Sequence, residues 1–195
     1  MPGEIKIDDG AGNYTILTNA GSLGSDKTIT IPNETATLAT TNGITMSDTW
    51  VLTATFSGTN GDITSNLSQI SFTGNGFIGT GLSESSGIFT FPTTGIYMIN
   101  LEVRFQAVGG DSNDPELKLI FTNDNFSSES TPIGIKGAVT NGEQSHHSSM
   151  CVVDVTETTN TKFKLTTANI DAHTNLLSSS SQMRTGFTVM RIGDT

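Results

Sequence analysis

The sequence predicts an all-β protein built as an antiparallel double sheet, and three observations carry that prediction. Charged residues fill only 14% of the 195 positions, against ~25% in ordinary soluble domains. Ser, Thr, Asn and 21 glycines do the solvating instead, and these suit turns and polar strand faces far better than helix interiors. No stretch spaces Leu, Ala, Glu and Lys at the 3.6-residue helical period. Tyr97, Ile99, Leu101, Val103 and Phe105 instead alternate with Met98, Asn100, Glu102, Arg104 and Gln106. That period of two marks a strand with one buried face.

In chain order, the elements begin with short strand-like pieces at Tyr14–Leu17, Lys27–Pro32 and Thr37–Thr40, separated by turn residues at 19–25 and at Asn42-Gly43. Tyr14 is the only aromatic residue before Trp50. Residues 1–48 therefore hold too little apolar surface to repay ordering alone. They are either a linker or a β-rich attachment segment ordered by pairing with other copies or with a host particle. From residue 49 to 195 the pattern is that of a domain. Strands are expected at Trp50–Phe56, Gln69–Phe72, Gly76–Ile78, Ile88–Phe91, Ile96–Phe105, Glu116–Thr122, His147–Val155, Lys162–Thr167 and Gly186–Ile192, with long polar loops at 109–115, 131–144 and 169–183. Strands joined by turns rather than helices point to a two-sheet antiparallel fold.

Charge and cysteine content narrow the partners. Nine Lys and Arg face nineteen Asp and Glu, a net charge of −10, which argues against nucleic acid and against anionic membrane surfaces. No apolar run approaches the ~20 residues that span a bilayer. Cys151 stands alone, so no intramolecular disulfide is expected. Residues 1–10 lack the apolar core of a signal peptide. The expectation is synthesis in a host cytoplasm and release by lysis or within an assembled particle.

Few residues suggest chemistry. His146, His147 and His173, with Asp154 and Asp171, are the candidate transition-metal group, but adjacent histidines on a strand point to opposite faces. Asp111, Asn113 and Asp114 put hard oxygen donors in one loop, a candidate Ca²⁺ site, and equally the composition of a plain turn. Thr122 to Asn125 is a thinner version of the same pattern. Cys151 lies among apolar neighbours and about 13 Å along a strand from His147, which reads as an inert thiol. No G-x-S-x-G elbow, phosphate loop or HExxH is present, so no enzyme and no cofactor are expected.

Strands with apolar residues on both faces point to self-association. Met150 and Val152 oppose Cys151, Val153 and Val155, while Met190 and Ile192 oppose Phe187 and Val189. One apolar face per sheet suffices for a lone sandwich. The surplus is covered either by other copies or by the loops 131–144 and 169–183.

Gly87, Phe89, Pro92, Gly95 and Tyr97 form G-x-F-x-x-P-x-x-G-x-Y, which resembles the motif opening a central strand in the complement-C1q and tumour-necrosis-factor-like head domains. Trp50–Phe56, Gln69–Phe72 and Thr185–Gly193 are similar to other strands of that family, so the resemblance spans about residues 50–193. It implies a jelly roll assembled as a homotrimer, with recognition at distal loops and no catalysis. Tyr97, Met150, Val152, Met190 and Ile192 are then the expected interface residues, and Asp111, Asn113, Asn141 and Glu143 the expected recognition residues. No collagen-like stalk precedes the domain. Lys27 to Gly43 instead resembles the Thr-rich segments that precede receptor-binding tips of bacteriophage tail fibres. The implied protein is a virion component: a fibre or spike tip that recognises a host surface glycan or receptor. Alternatives are a capsid decoration or head-fibre protein held by its N-terminal segment, and a glycan-cleaving spike enzyme.

Overall fold

The alternation in the sequence becomes two antiparallel sheets packed face to face. The computed structural model describes residues 5–8, 14–17, 44–70, 72 and 76–195, and the chain divides into two units, Met1–Thr40 and Thr41–Thr195. In the first unit β1 (Ile5–Asp8) pairs antiparallel with β2 (Tyr14–Leu17), Ile5 opposite Leu17 and Asp8 opposite Tyr14. The expected strands at 27–32 and 37–40, and the turns around them, lie outside the described residues. The division falls at 40/41 rather than at 48/49. The reason is that the first strand of the sandwich starts at Met46, and both Met46 and Asp48 are buried in it.

One sheet contains β3 (Met46–Leu52), β4 (Phe56–Ser57), β6 (Leu67–Gln69), β9 (Gly95–Ala107), β12 (Gln144–Val155), β14 (Thr174–Leu176) and β15 (Gly186–Gly193). The other contains β5 (Gly61–Asp62), β7 (Ser83–Ser85), β8 (Ile88–Thr90), β10 (Glu116–Thr122), β11 (Ser130–Lys136) and β13 (Lys162–Ala168). The 13-residue β9 is the axis of the first sheet. Strand β12 runs along one of its edges, and β15 followed by β14 along the other. Beyond β15 come β3 and then β6. The second sheet runs in the order β11-β10-β13-β8-β7.

Between the sheets lies a core rich in aromatic rings. Phe89 stacks on Phe163 at 5.1 Å between centroids and meets Trp50 and Phe187 edge-on. Its ring therefore ties both sheets together, and burying such a side chain stabilises the fold by about 1.5–3 kcal/mol. The glycine-and-proline motif found in the sequence acquires physical reasons here. Gly87 turns β7 into β8 at φ +79°, and a Cβ there would overlap the Ile63 carbonyl oxygen. Gly95 opens β9 at φ +147°, where a Cβ would run into the Arg191 guanidinium. Tyr97 is buried, and its hydroxyl donates to the Thr93 carbonyl at 2.8 Å, closing the turn that Pro92 begins.

Three expectations need correction. Residues 131–144 are not all loop. Ser130–Lys136 is the edge strand β11, in which Ile133 and Ile135 alternate inward, and Pro132 is tolerable only because the strand lies at a sheet edge. Residues 169–183 likewise contain β14. The expected strand 50–56 splits into β3 and β4, with a bend between Leu52 and Phe56.

Candidate functional site

The register across β12, β9, β15 and β3 fixes what the outward face of that sheet presents. Val152 lies opposite Met98, Met98 opposite Met190, and Met190 opposite Ser47. The next row reads Met150, Asn100, Thr188 and Thr49, with the two threonine hydroxyls 3.0 Å apart. Met150 and Val152 are each 59% exposed and Ile192 51%. Met98 and Met190 are half-buried beside them. The half of this face nearest Gly95 is thus apolar, and the half nearest Ala107 is polar. In the polar half, Glu102 accepts from Asn100 Nδ2 at 3.1 Å and pairs with His146 Nε2 at 3.3 Å.

Of the expected interface residues, Met150, Val152, Met190 and Ile192 share this face. Tyr97 does not. It is fully buried, because it belongs to the inward set of β9 with Ile99 and Leu101. Sequence reasoning missed a second exposed apolar group beside β3: Ile44, Phe72, Phe77 and Ile78. Ile78 exchanges two backbone hydrogen bonds with Ser47. Isolated apolar residues among Gly, Ser and Thr signal burial as readily as exposure, so nothing in the sequence marked these as exposed.

The expected recognition residues are brought together at one end. Strand β9 ends at Ala107, and the loops 108–114 and 137–143 lie side by side beyond it. Gly109 N donates to Asn141 Oδ1 at 2.9 Å, and Asn141 N donates to Asp111 Oδ1 at 2.8 Å. Ser112 and Val139 exchange two backbone bonds, and Ala107 N donates to Glu143 O at 3.2 Å. Asp111, Asn113, Asn141 and Glu143 are all exposed there. His173 joins them, its Nδ1 lying 3.2 Å from the Val108 carbonyl oxygen. Met46, where the sandwich begins, pairs through Arg191 with Tyr97 at the other end of β9. Ten residues of strand separate Tyr97 from Ala107, roughly 33 Å.

The candidate metal groups do not assemble. Among the described residues, no group of three or more His, Cys, Asp or Glu is placed to hold an ion. Asp111 is engaged with Asn141, and Asp114 pairs with Lys136 at 3.2 Å, while Asn113 is exposed between them. His146 points outward to Glu102, and His147 points inward toward the Phe105 ring, the opposition that adjacent strand residues impose. Asp154 and Asp171 belong to separate places, at the Gly95 end of β12 and at the turn before Thr174. Cys151 is half-buried opposite Ile99, and burial pushes its thiol above the usual range, which keeps it protonated. Thr122 to Asn125 forms a tight turn closed by Asp124. No helix among the described residues is long and apolar enough to cross a membrane.

No protein-family model matches the chain, and no curated protein sequence matches it either. Solved structures do. Murine APRIL, in a crystal structure at pH 5.0, is 13% identical, with 75% of this chain and 99% of that chain covered at a TM-score of 0.54. Eiger TNF from S. frugiperda is 9% identical, with 77% of this chain and 94% of that chain covered at a TM-score of 0.51. At such identities the likeness is one of fold: an antiparallel all-β sandwich of the tumour-necrosis-factor-like jelly-roll class.

Proposed function

We propose that this jelly roll is the non-enzymatic head of a homotrimeric recognition protein, and that the assembly is a virion fibre or spike tip whose N-terminal unit attaches to other virion proteins. The observation that carries the reading is the apolar half-face of Met150, Val152, Met98, Met190 and Ile192. It occupies one end of a sheet whose other face is already fully packed. Water contact at such a patch is unfavourable by roughly 25 cal/mol per Å², and patches of this kind are commonly subunit contacts. The distal cluster of Asp111, Asn113, Asn141 and Glu143 supports recognition. It is exposed, polar and positioned by backbone bonds, at the end of the domain away from Met46. The chemistry of such a cluster suits the hydroxyl-rich surface of a host glycan or a polar receptor loop.

Cys151 lies opposite Ile99 with its thiol pKa raised by burial, and turnover on a polysaccharide is not part of this reading. Sedimentation of the full chain tests the assembly. The expected species is a trimer whose association changes little between 0.05 and 1 M salt, because apolar burial rather than surface ion pairs holds it. Met190→Asp and Ile192→Asp should each yield monomer or aggregate. An intact trimer in both variants overturns the interface. Labelled antibodies on intact particles, viewed by electron microscopy, separate a tail-fibre position from a capsid-decoration position.

A further inference from the structure

Where the turn entering β9 meets the start of β3, the Gly95 end of the sandwich opens into a cavity of about 440 Å³. Thr45, Thr80, Thr93 and Thr94 line it together with Pro92 and Arg191. One wall depends on a close approach: Gly79 has φ +67°, and a Cβ on it would overlap the Thr45 carbonyl oxygen. Arg191 is the only charged residue of the lining, and its side chain is 18% exposed. Nε donates to the Thr94 carbonyl at 2.9 Å and Nη1 to Thr45 Oγ1 at 3.3 Å, which holds the guanidinium against the cavity wall. Nη2 pairs with Asp194, whose side chain is 90% exposed. A guanidinium carries five N–H groups. These contacts occupy three of them, so one N–H on each terminal nitrogen remains to be given. Thr45, having accepted from Nη1, still has its own hydroxyl proton to donate.

We propose that this cavity binds a small carboxylate-bearing polyol, the class to which acidic sugars belong, with Arg191 as its anchor and Asp194 as a tethered competitor for the same guanidinium. Two N–H groups on the terminal nitrogens match the two oxygens of a carboxylate. The threonine hydroxyls suit the hydroxyls of such a ligand, and the Pro92 ring offers its C–H face an apolar surface. Pockets of roughly this volume, with a few placed polar groups, commonly hold ligands of that size. Asp194 reaches the guanidinium through one oxygen from an exposed position. Exposed pairs of this kind are worth little, so an incoming carboxylate replaces it at small cost. A neutral sugar gains the hydroxyl contacts alone and forgoes the charge-assisted pair. The site lies at the opposite end of β9 from the loops 108–114 and 137–143, and it needs no second copy of the chain.

The test uses the full chain, with sodium glucuronate as the acid, glucose as its neutral counterpart, and chloride adjusted to hold ionic strength constant. The melting temperature of the wild type should rise saturably with glucuronate and stay flat with glucose. Asp194→Asn removes the competitor at an exposed residue, and apparent glucuronate affinity should rise by about two- to fivefold, the factor that an exposed ion pair is worth. Arg191→Gln should abolish the response. If that variant fails to fold, the Asp194→Asn measurement decides by itself. An equal response to both sugars overturns the site. So does an unchanged affinity in Asp194→Asn, or the absence of any response to glucuronate in both proteins. Because the readout is melting rather than sedimentation, the site stands or falls independently of the trimer.

Discussion

Asp48 is 1% exposed and accepts three hydrogen bonds: from Trp50 Nε1 at 2.9 Å, Gln69 Nε2 at 3.0 Å and the Leu82 backbone N–H at 2.9 Å. One carboxylate therefore ties β3 to β6 and to the strand-free stretch before β7. Asp48→Ala strands those donors, and each buried unpaired group costs about 1–3 kcal/mol. A total loss of about 2–4 kcal/mol is expected in urea unfolding, and a loss below 0.5 kcal/mol would remove the residue from this role. Asp124 works at the surface. Ser128 donates through its hydroxyl and its backbone N–H, and Thr122 adds its own hydroxyl, so the carboxyl falls from 3.8 to about 2. A lowered folded-state pKa gives stability that is complete above the unfolded value, near 3.8, and disappears as pH falls through about 2. Asp124→Asn should therefore flatten the stability profile between pH 4 and 2. If acid unfolding of the two proteins runs in parallel there, the carboxylate contributes nothing. Asp48 did not stand out in the sequence, and Asp124 did so only as part of the thin oxygen-donor pattern from Thr122 to Asn125. A buried aspartate is written like any turn aspartate, and only the fold brings Gln69 and Leu82 to it.

At the scale of the element, the Gly87 turn joins β7 to β8 where only glycine fits. Its positive φ and the adjacent Ile63 carbonyl leave no room for a methyl group. Gly87→Ala should destabilise the domain by about 1–3 kcal/mol, read as a fall in melting temperature, whereas Ser85→Ala two residues earlier should leave it within about 0.5 kcal/mol. The long strands were legible because their apolar residues keep strict alternation against a packed core: β9, β10, β13 and β15 appear within a residue or two of where the period of two placed them. Strand β11 was hidden. Its Pro132 and Gly134 read as loop, and an edge strand needs only Ile133 and Ile135 on its inner side to hold its place. The recognition loops were legible as polar composition, but their adjacency comes from backbone bonds between residues thirty apart. Tyr97 was misplaced for the opposite reason. The family resemblance set it among the interface residues, although its position in the alternation put it inside.

The larger unit is zoned along β9. Exposed apolar side chains sit at the Gly95 end, and exposed polar loops sit at the Ala107 end, with the aromatic core between. Variants at the two ends should therefore act independently. Ile192→Asp should abolish association and leave the backbone amide protection of loops 108–114 and 137–143 unchanged, as hydrogen exchange would report. Asn113→Ala should leave both association and that protection unchanged, and a measurable change in assembly from it would show that the ends are coupled. The loop pairing described above has a consequence for diversification. Amide-to-carbonyl bonds and the Asp111–Asn141 clasp hold those loops, and the exposed side chains of Asn113 and Glu143 take no part in that clasp. Successive variants can replace them with little effect on the scaffold, changing only the polar surface that this end of the domain presents.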